Sequence, residues 1–290
     1  GSVAPRFNPS TLQRFNALMF LIQLRNELWK LFGKKRTYIG FGMFLAAQLI
    51  IVLICYYNAS ARRQLTAAGE EFFSSLTCAT VMILPLAFIL LPLYVALVGG
   101  DLVAKEAEDG TLRMILARPI SRLRLLGLKW LAGVIFSATQ VLALGGFALL
   151  FAALWFPWSD MFVIVPGELM SAFDPVTGLQ RYVSAHLFMT LKAATIISLA
   201  FMFSCFNVKP AAATILALSF IFADHILRSI PYFADLKHWF ITYHLNVWLY
   251  LLAQPIPWWR VGESLSILLG FNVTFLVIGV TAFQMRDIKS

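Results

Sequence analysis

Charge is scarce in this chain, and negative charge is the scarcest. Charged residues make up 13% of the 290 residues, with 14 Asp and Glu against 23 Lys and Arg, whereas a soluble globular domain carries about 25% charged residues. Hydrophobic residues account for 60%, and the mean hydropathy is +0.80. A water-soluble core does not need uncharged runs of about 20 residues, the length that crosses the hydrocarbon as a helix. The composition therefore excludes a soluble protein and indicates an integral membrane protein.

The usual signatures of enzymes and metal proteins are also missing. Cys55, Cys78 and Cys205 fall in three different apolar runs, which excludes a disulfide framework. The sequence has no G-x-x-x-x-G-K-[ST] loop to hold a triphosphate, no H-E-x-x-H and no G-x-S-x-G. The four histidines lack a compact ligand spacing; they are His186, His225, His238 and His244. We therefore expect no catalytic residue, no metal site and no cofactor bound by this chain.

Long apolar runs predict an all-α integral membrane protein with six transmembrane helices. The second run contains Pro85 and Pro92, which a membrane helix tolerates because neighbouring helices satisfy the freed carbonyls. Residues 1–10 are a polar tail in which Gly1-Ser2 is typical of a tag remnant, and they lack the apolar core of a signal peptide. The predicted spans are Tyr38–Tyr57, Phe72–Gly100, Trp130–Trp158, Ala185–Val208, Ala211–Ile230 and Ser264–Gln284.

The distribution of Lys and Arg predicts the orientation. Six spans place both termini on one side, which holds 16 of the 23 basic residues, including Lys34-Lys35-Arg36 and most of residues 101–129. The other side holds the remaining seven: Arg62, Arg63, Arg181, Lys192, Arg228, Lys237 and Arg260. By the positive-inside rule, both termini are expected in the cytoplasm and the protein in the inner membrane. This bias and anionic lipid headgroups explain the net charge of +9, so we expect no nucleic-acid partner.

A rival topology would add a span at Leu236–Ala253. That stretch is crowded with Trp, Tyr and His, and Pro255, Pro257, Trp258 and Trp259 follow it. Aromatic residues at this density favour the headgroup region over the bilayer centre. We therefore predict that residues 231–262 form short extracytoplasmic helices that dip into the outer leaflet and return.

An amphipathic helix is predicted ahead of the first span, in residues 11–37. Its apolar side is formed by Leu21, Leu24, Leu28, Leu31 and Phe32 at helical spacing, and the opposite side by Gln23, Asn26, Glu27, Lys30 and Lys34. Such a helix lies in the membrane interface and is anchored there by charge. Residues 38–290 then form the transmembrane domain.

A charged island, residues 101–129, separates the second and third spans. Gly110 is expected to end one helix and Thr111 to cap a short helix, Leu112–Ala117, with Leu112, Ile115 and Leu116 on one face. Pro119 stops this helix and Ser121 caps the next. Exposed apolar side chains rimmed by charge usually mark a contact site. The island therefore predicts partner docking, with a solvated connector as the alternative.

The island resembles the permease subunits of ABC-2 type transporters. The similarity lies in Glu106, Gly110-Thr111, Ile115-Leu116, Arg118-Pro119, Ser121-Arg122 and Lys129. Residues 26–41, NELWKLFGKKRTYIGF, are similar to that family's N-terminal elbow, and the six spans and short outer helices also fit. One departure is Leu128, where the family tends to have Gly just before the Lys; here Gly127 comes one residue earlier.

The resemblance implies a pore built from two permease copies, or from this chain and a homologue, and driven by a cytoplasmic ATPase dimer that uses ATP and Mg²⁺. The short helix becomes a coupling helix seated in the ATPase. The implied docking residues are Glu106, Glu108, Gly110, Thr111, Leu112, Ile115, Leu116, Arg118, Pro119, Ser121 and Arg122. Few charges line the spans, which favours a lipid-like, peptide or amphipathic cargo. The alternative function is a membrane anchor that uses the same ATPase to do mechanical work on a periplasmic or envelope protein.

Two charges lie inside the predicted spans. Lys192 precedes Val208 by 16 residues and Asp224 follows Pro210 by 14, which places both about 21–24 Å from the same turn at about 1.5 Å per residue. Intramembrane charges are costly and usually paired. We predict a Lys192–Asp224 ion pair that pins the two helices or lines an exit.

Overall fold

The structure is a computed structural model that describes residues 9–58, 73–117, 120–165 and 169–285. Six helices in it are long and apolar enough to cross a membrane, so this is an all-α, multi-pass membrane protein. The long helices are α1 (Pro9–Phe32), α2 (Lys35–Tyr57), α3 (Ser75–Glu108), α5 (Arg122–Trp155), α6 (Pro175–Cys205), α7 (Pro210–Ser229) and α10 (Trp258–Gln284). The short elements are α4 (Thr111–Leu116), β1 (Met161–Val165), β2 (Leu169–Phe173), a 3₁₀ helix (Pro231–Trp239), α8 (Ile241–His244) and α9 (Val247–Tyr250).

The chain crosses the bundle six times, which divides the connections between two ends. The α4 end contains α1, α4 and the turn between α6 and α7; the hairpin end contains β1, β2 and residues 231–257. At the α4 end, Arg122 donates through Nη1 to the Gln284 carbonyl at 3.5 Å, which joins the start of α5 to the end of α10.

Helix α6 lies at the centre of the bundle. Of its most apolar window 72% is buried, against 28% for α2, α7 and α10, whose outer faces remain apolar and exposed. Side-chain hydrogen bonds fasten α6 to α5 and α10: Ser198 Oγ accepts from Trp130 Nε1 at 2.8 Å and donates to Asn272 Oδ1 at 2.7 Å. Asn272 also donates to Thr195 Oγ1 at 2.8 Å. These bonds satisfy polar groups that hydrocarbon would otherwise leave without partners.

Helix α3 changes its pitch where its prolines lie. It is α-helical to Pro85, π-helical over Leu86–Leu90, and α-helical again to Glu108, with Pro92 in the first turn of the last segment. A π-helical turn accommodates the carbonyls that proline leaves without a donor. The result is an irregular stretch of backbone in the half of α3 nearer the hairpin end.

A β-hairpin between α5 and α6 is a feature that the sequence analysis missed. β1 and β2 pair antiparallel, with Met161 opposite Phe173 and Val165 opposite Leu169. The short apolar segment MFVIV, rich in β-branched residues and followed by Pro166-Gly167, was a signal for it. Helix α6 also begins at Pro175 rather than near Ala185, because Asp174 caps it by accepting from Thr177 N at 3.0 Å.

The aromatic stretch between α7 and α10 is broken into short helices. Neither the 3₁₀ helix nor α8 or α9 is long enough to span, and Trp248 and its neighbours pack into the bundle. His244 bridges this region to α10 through Ser264 Oγ at 3.0 Å and to the His238 carbonyl at 2.9 Å. The six-helix prediction is therefore confirmed over the rival seven-helix topology.

Candidate functional site: the coupling end

Four charged side chains meet at the α4 end of the bundle. This four-charge cluster consists of Glu27 and Lys30 from α1, Glu106 from α3 and Lys129 from α5. Lys129 Nζ lies 2.7 Å from Glu106 Oε1 and 2.9 Å from Glu27 Oε2. Lys30 Nζ lies 2.7 Å from Glu27 Oε1 and 3.2 Å from Glu106 Oε1. Two cations and two carboxylates thus join three helices that are distant in sequence.

Lys129 is the buried member of the cluster. Its side chain is 2% exposed, and Glu27 and Glu106 are 14% and 18% exposed. A buried ammonium is tolerated when carboxylates pair with it, because an uncompensated buried charge costs several kcal/mol. Arg36 at the start of α2 and the buried Asp101 of α3 form a second ion pair, which fastens α2 to the same end.

The cluster shifts the pKa values of its two α1 members. Burial alone would raise the pKa of the Glu27 carboxyl, but Lys129 and the hydrogen bonds from Lys30 and Lys129 outweigh it, so this pKa is lowered. Burial alone would lower the pKa of Lys30, but the hydrogen bond and charge of Glu27, aided by Glu106, raise it. Both shifts favour the ionised forms and hold the cluster together near neutral pH.

Glu27 and Lys30 were predicted on the side of α1 opposite its apolar residues. That assignment is wrong for Glu27, which turns inward to Lys129. The predicted apolar side is buried or half-buried at Leu24, Leu28, Leu31 and Phe32 and exposed at Leu21. Glu27 was assigned to the polar side because it is charged. Its partner Lys129 lies 102 positions away in the sequence, so the helical pattern of α1 could not show the contact.

A two-residue turn connects α3 to α4. Asp109 N and Gly110 N donate back to the carbonyls of Lys105 and Ala107, and Gly110 has a φ of +72°. This left-handed conformation favours glycine, so the predicted helix end at Gly110 is confirmed. Thr111 Oγ1 donates to the Glu106 carbonyl at 3.3 Å, which ties the first residue of α4 to the residue that pairs with Lys129.

The faces of α4 differ from the prediction. Leu112 is 4% exposed and packs into the core, and Ile115 is half-buried against it, so these two residues hold α4 to the body. Met114 is a large apolar side chain that α4 does expose, at 67%. Ala117 is exposed next to it. The side chain of Leu116, and both Arg118 and Pro119, lie outside the described part of the chain.

Three predicted docking residues have local roles at the surface. Glu108 is exposed and pairs with Lys105 at 2.8 Å. Ser121 caps α5 by accepting from Arg124 N at 3.3 Å, as predicted. Arg122 is exposed beside it. A groove of about 190 Å³ runs between α1 and the segment after α4, and it is lined by Gln23, Asn26, Glu27, Lys30, Ile115, Ile120, Leu125 and Leu128.

Most of the chain, including the α4 end, matches a known protein family. The profile described as "ABC-2 family transporter protein" matches residues 18–234, a range that contains most of α1, the four-charge cluster and α4. The chain belongs to the ABC-2 transporter family. No curated protein matches this ABC-2 protein significantly. The resemblance read from Glu106 to Lys129 is thus confirmed, and the protein is the membrane component of an ABC transporter.

The predicted Lys192–Asp224 ion pair is not formed in this ABC-2 protein. Asp224 Oδ1 and Oδ2 instead accept from the backbone amides of Ile241 and Thr242, at 3.2 and 2.8 Å. The ammonium of Lys192 lies over the ring of Phe88, 4.9 Å from its centroid. Asp224 caps α8 because the amides at a helix start attract a carboxylate.

Two of the four histidines, His186 and His244, have hydrogen-bond partners within the bundle. His186 Nδ1 lies 2.7 Å from the Tyr182 carbonyl, and His244 contacts Ser264 and the His238 carbonyl. Within the residues that the structure describes, no three His, Cys, Asp or Glu side chains are grouped so that they could hold a metal ion.

Proposed function

We propose that this ABC-2 protein is the permease subunit of an ATP-driven exporter in the inner membrane, with both termini in the cytoplasm. A separate ATPase dimer docks on residues 101–129, at the α4 end, and uses ATP and Mg²⁺. A second permease copy, or a homologue, packs against the apolar faces of the outer helices. The observation that supports this best is the four-charge cluster beside α4.

The cluster gives α4 a rigid mounting. Leu112 and Ile115 anchor α4 in the core, and Thr111 bonds to the residue that holds Lys129. Lys129 in turn binds α1. A displacement of α4 by the ATPase therefore moves α1, α3 and α5 together rather than bending a loop, because packed and ion-paired elements shift as bodies.

The docking surface in this proposal is the exposed side of α4. Met114 presents a flexible apolar side chain at its centre, and such side chains suit contact surfaces. Glu108 and Arg122 supply a polar rim. Leu112 and Glu106, which the sequence analysis included in the docking set, act from inside by holding α4 in place.

The test is Met114→Asp, with Met170→Asp as the matched control. Met170 is 71% exposed on β2, at the hairpin end, so its substitution alters a similar surface away from the proposed docking site. The tagged protein is purified from its native membranes, and a Walker-motif ATPase is sought in the eluate by mass spectrometry. We expect the ATPase with wild type and with Met170→Asp, and at least about tenfold less with Met114→Asp.

Two results would contradict the proposal. One is a wild-type protein that is purified from its native membranes in monodisperse form and without any ATPase. The other is equal recovery of the ATPase with Met114→Asp, which would move the docking surface away from α4.

A further inference from the structure

A cavity of about 240 Å³ lies between α3, α6, α7 and α8, in the half of the bundle nearer the hairpin end. Its wall includes the π-helical stretch of α3 at Phe88 and Ile89, and Leu218, Ile221 and Phe222 of α7. π-helical turns occur often at functional sites. Ile89 and Phe222 are exposed on the outer surface of the bundle, so the cavity borders the lipid.

The cavity contains a buried positive charge. Lys192 lines it and is 3% exposed, and among the described residues it makes no hydrogen bond and no ion pair. Its contact there is the face of Phe88, at 4.9 Å. A lysine ammonium in an apolar wall is costly unless an anion neutralises it. One cation–π contact offsets only part of that cost.

Asp224, the carboxylate predicted to pair with Lys192, does not neutralise it. Both oxygens of Asp224 accept backbone amides of α8, as described above. Arg228 adds a second positive charge; it lies on α7, like Asp224, and donates to the Thr242 carbonyl at 3.4 Å. His225, which also lines the cavity, carries no negative charge. Among the described residues, the ammonium therefore has apolar side chains and a second cation in its neighbourhood but no carboxylate paired with it.

A second polar atom near the cavity also lacks a partner. Thr242 lines the cavity and is 5% exposed, and its Oγ1 has no hydrogen-bond partner among the described residues. Buried hydroxyls are almost always hydrogen-bonded. The ammonium offers three hydrogen-bond donors and the hydroxyl offers one, which suits an oxyanion. The apolar walls suit a hydrocarbon chain.

We infer that this cavity binds an anionic amphiphile: a carboxylate or phosphate on Lys192 and Thr242, with its acyl chain along Ile221 and Phe222 and out to the lipid. The ligand arrives either as a bilayer lipid or as a free single-chain anion. The site depends on neither the ATPase nor α4, so it can exist whether or not the proposed docking is correct.

The probe is a long-chain fatty acid carrying a photoactivatable diazirine, with the matching fatty alcohol as the neutral control. The full-length protein is placed in phosphatidylcholine nanodiscs, irradiated with either probe and digested, and the labelled residues are mapped by mass spectrometry. We expect the acid to label residues 86–93 and 218–225 at least about tenfold more than the alcohol, because only the acid pairs with a buried ammonium.

Three variants and one control variant test the chemistry. Lys192→Met should lower this labelling by about tenfold or more, whereas Lys192→Arg, which keeps the charge, should retain it. Ile221→Trp keeps Lys192 but fills the cavity and should also lose the label. Lys237→Met removes an exposed lysine of the 3₁₀ helix and should label like wild type. If Lys192→Met fails to fold, Ile221→Trp and Lys192→Arg still decide the question.

The source of the ligand follows from a competition. Phosphatidylglycerol added to the nanodisc should suppress the label if a bilayer lipid occupies the site, and should leave it unchanged if the site accepts free single-chain anions. Either result supports the inference. Equal labelling by acid and alcohol, or wild-type labelling of both Lys192→Met and Ile221→Trp, would overturn it.

Discussion

The ammonium of Lys129 lies 2.7 Å from Glu106 Oε1, and this contact joins the third and second transmembrane helices beside the turn that carries α4. The pair belongs to the four-charge cluster, in which Glu27 brings the interfacial helix α1 to the same ammonium. The residues that the family resemblance selected from sequence, Glu106 and Lys129, are thus partners in the structure. In the function that we propose, these two residues position α4 from inside the bundle.

Removing Lys129 should destabilise the protein. Lys129→Met leaves two largely buried carboxylates with Lys30 as their remaining cation, and breaking a buried ion pair on one side costs about 3 kcal/mol. The midpoint of thermal unfolding in detergent, followed by size-exclusion chromatography, checks this. Lys34→Gln is the control and should not lower the midpoint. Burial and the charges of Arg36 and Lys129 lower the pKa of Lys34, so the substitution removes an unfavourable charge. A Lys129→Met midpoint equal to wild type would contradict the role of the cluster.

The stability of the cluster should depend on pH through Glu27. Because its pKa is lowered in the folded protein, its contribution is present above the ordinary value of 4.5 and is lost as the pH falls through the folded value. The difference in unfolding temperature between wild type and Glu27→Gln should therefore be constant near neutral pH and shrink in acid below that value. Lys30→Gln should behave oppositely. Because the pKa of Lys30 is raised in the folded protein, the difference in unfolding temperature between wild type and Lys30→Gln should be present below pH 10.5 and be lost only at higher pH. A Glu27→Gln difference that does not change with acid would refute this.

Gly110 should tolerate few substitutions, although its surroundings are open. An added Cβ would meet nothing within 4 Å, so the cost of Gly110→Ala is the left-handed backbone alone, about 1–2 kcal/mol. Gly110→Asn should cost less, because asparagine adopts this conformation more readily. Gly127→Ala is the control: it also meets nothing, but lies inside α5 and should be neutral or stabilising. Unfolding midpoints rank the three variants, and Gly110→Ala equal to Gly127→Ala would be the contrary result.

Gly100 should be restricted for the opposite reason, a close approach of helices. A Cβ at Gly100 would lie 2.4 Å from Thr214 Oγ1, 3.0 Å from Thr214 N and 3.1 Å from the Pro210 carbonyl, so α3 would have to move away from α7. Small residues allow membrane helices to pack this closely. We expect Gly100→Ala to lower the midpoint of thermal unfolding. Gly146→Ala should leave it unchanged, because a Cβ added at Gly146 meets nothing within 4 Å. Equal midpoints would show that the helices can separate without cost.

Exchange of the charges of Lys192 and Asp224 should not restore a damaged protein. Asp224→Leu removes both acceptors at the start of α8 and should cost about 1–3 kcal/mol. Asp224→Asn keeps one carbonyl acceptor and should cost less. The double exchange Lys192→Asp with Asp224→Lys places a lysine where two amides need an acceptor, so it should be at least as unstable as Asp224→Leu. Recovery of the wild-type unfolding midpoint by the exchange would restore the ion-pair hypothesis.

The long apolar segments were predictable because a helix that crosses hydrocarbon must satisfy its own backbone and carry apolar side chains along its whole length. The span Tyr38–Tyr57 was predicted within a few residues of α2, and the turn at Gly110 was found because only a glycine-tolerant conformation ends α3 there. The hairpin and the early start of α6 were missed, although MFVIV and the Asp174-Pro175 cap are local signals.

The sequence by itself determined the class of protein, its six spans, the position of α4 and the family to which the chain belongs, since each depends on local composition or on a short motif. The tertiary structure alone decided which charges meet. Lys129 binds Glu27 across 102 positions, and Asp224 binds the start of α8 instead of Lys192. Ion pairs are chosen by the distance and burial of side chains after the helices pack, and helical spacing along one segment cannot report either quantity.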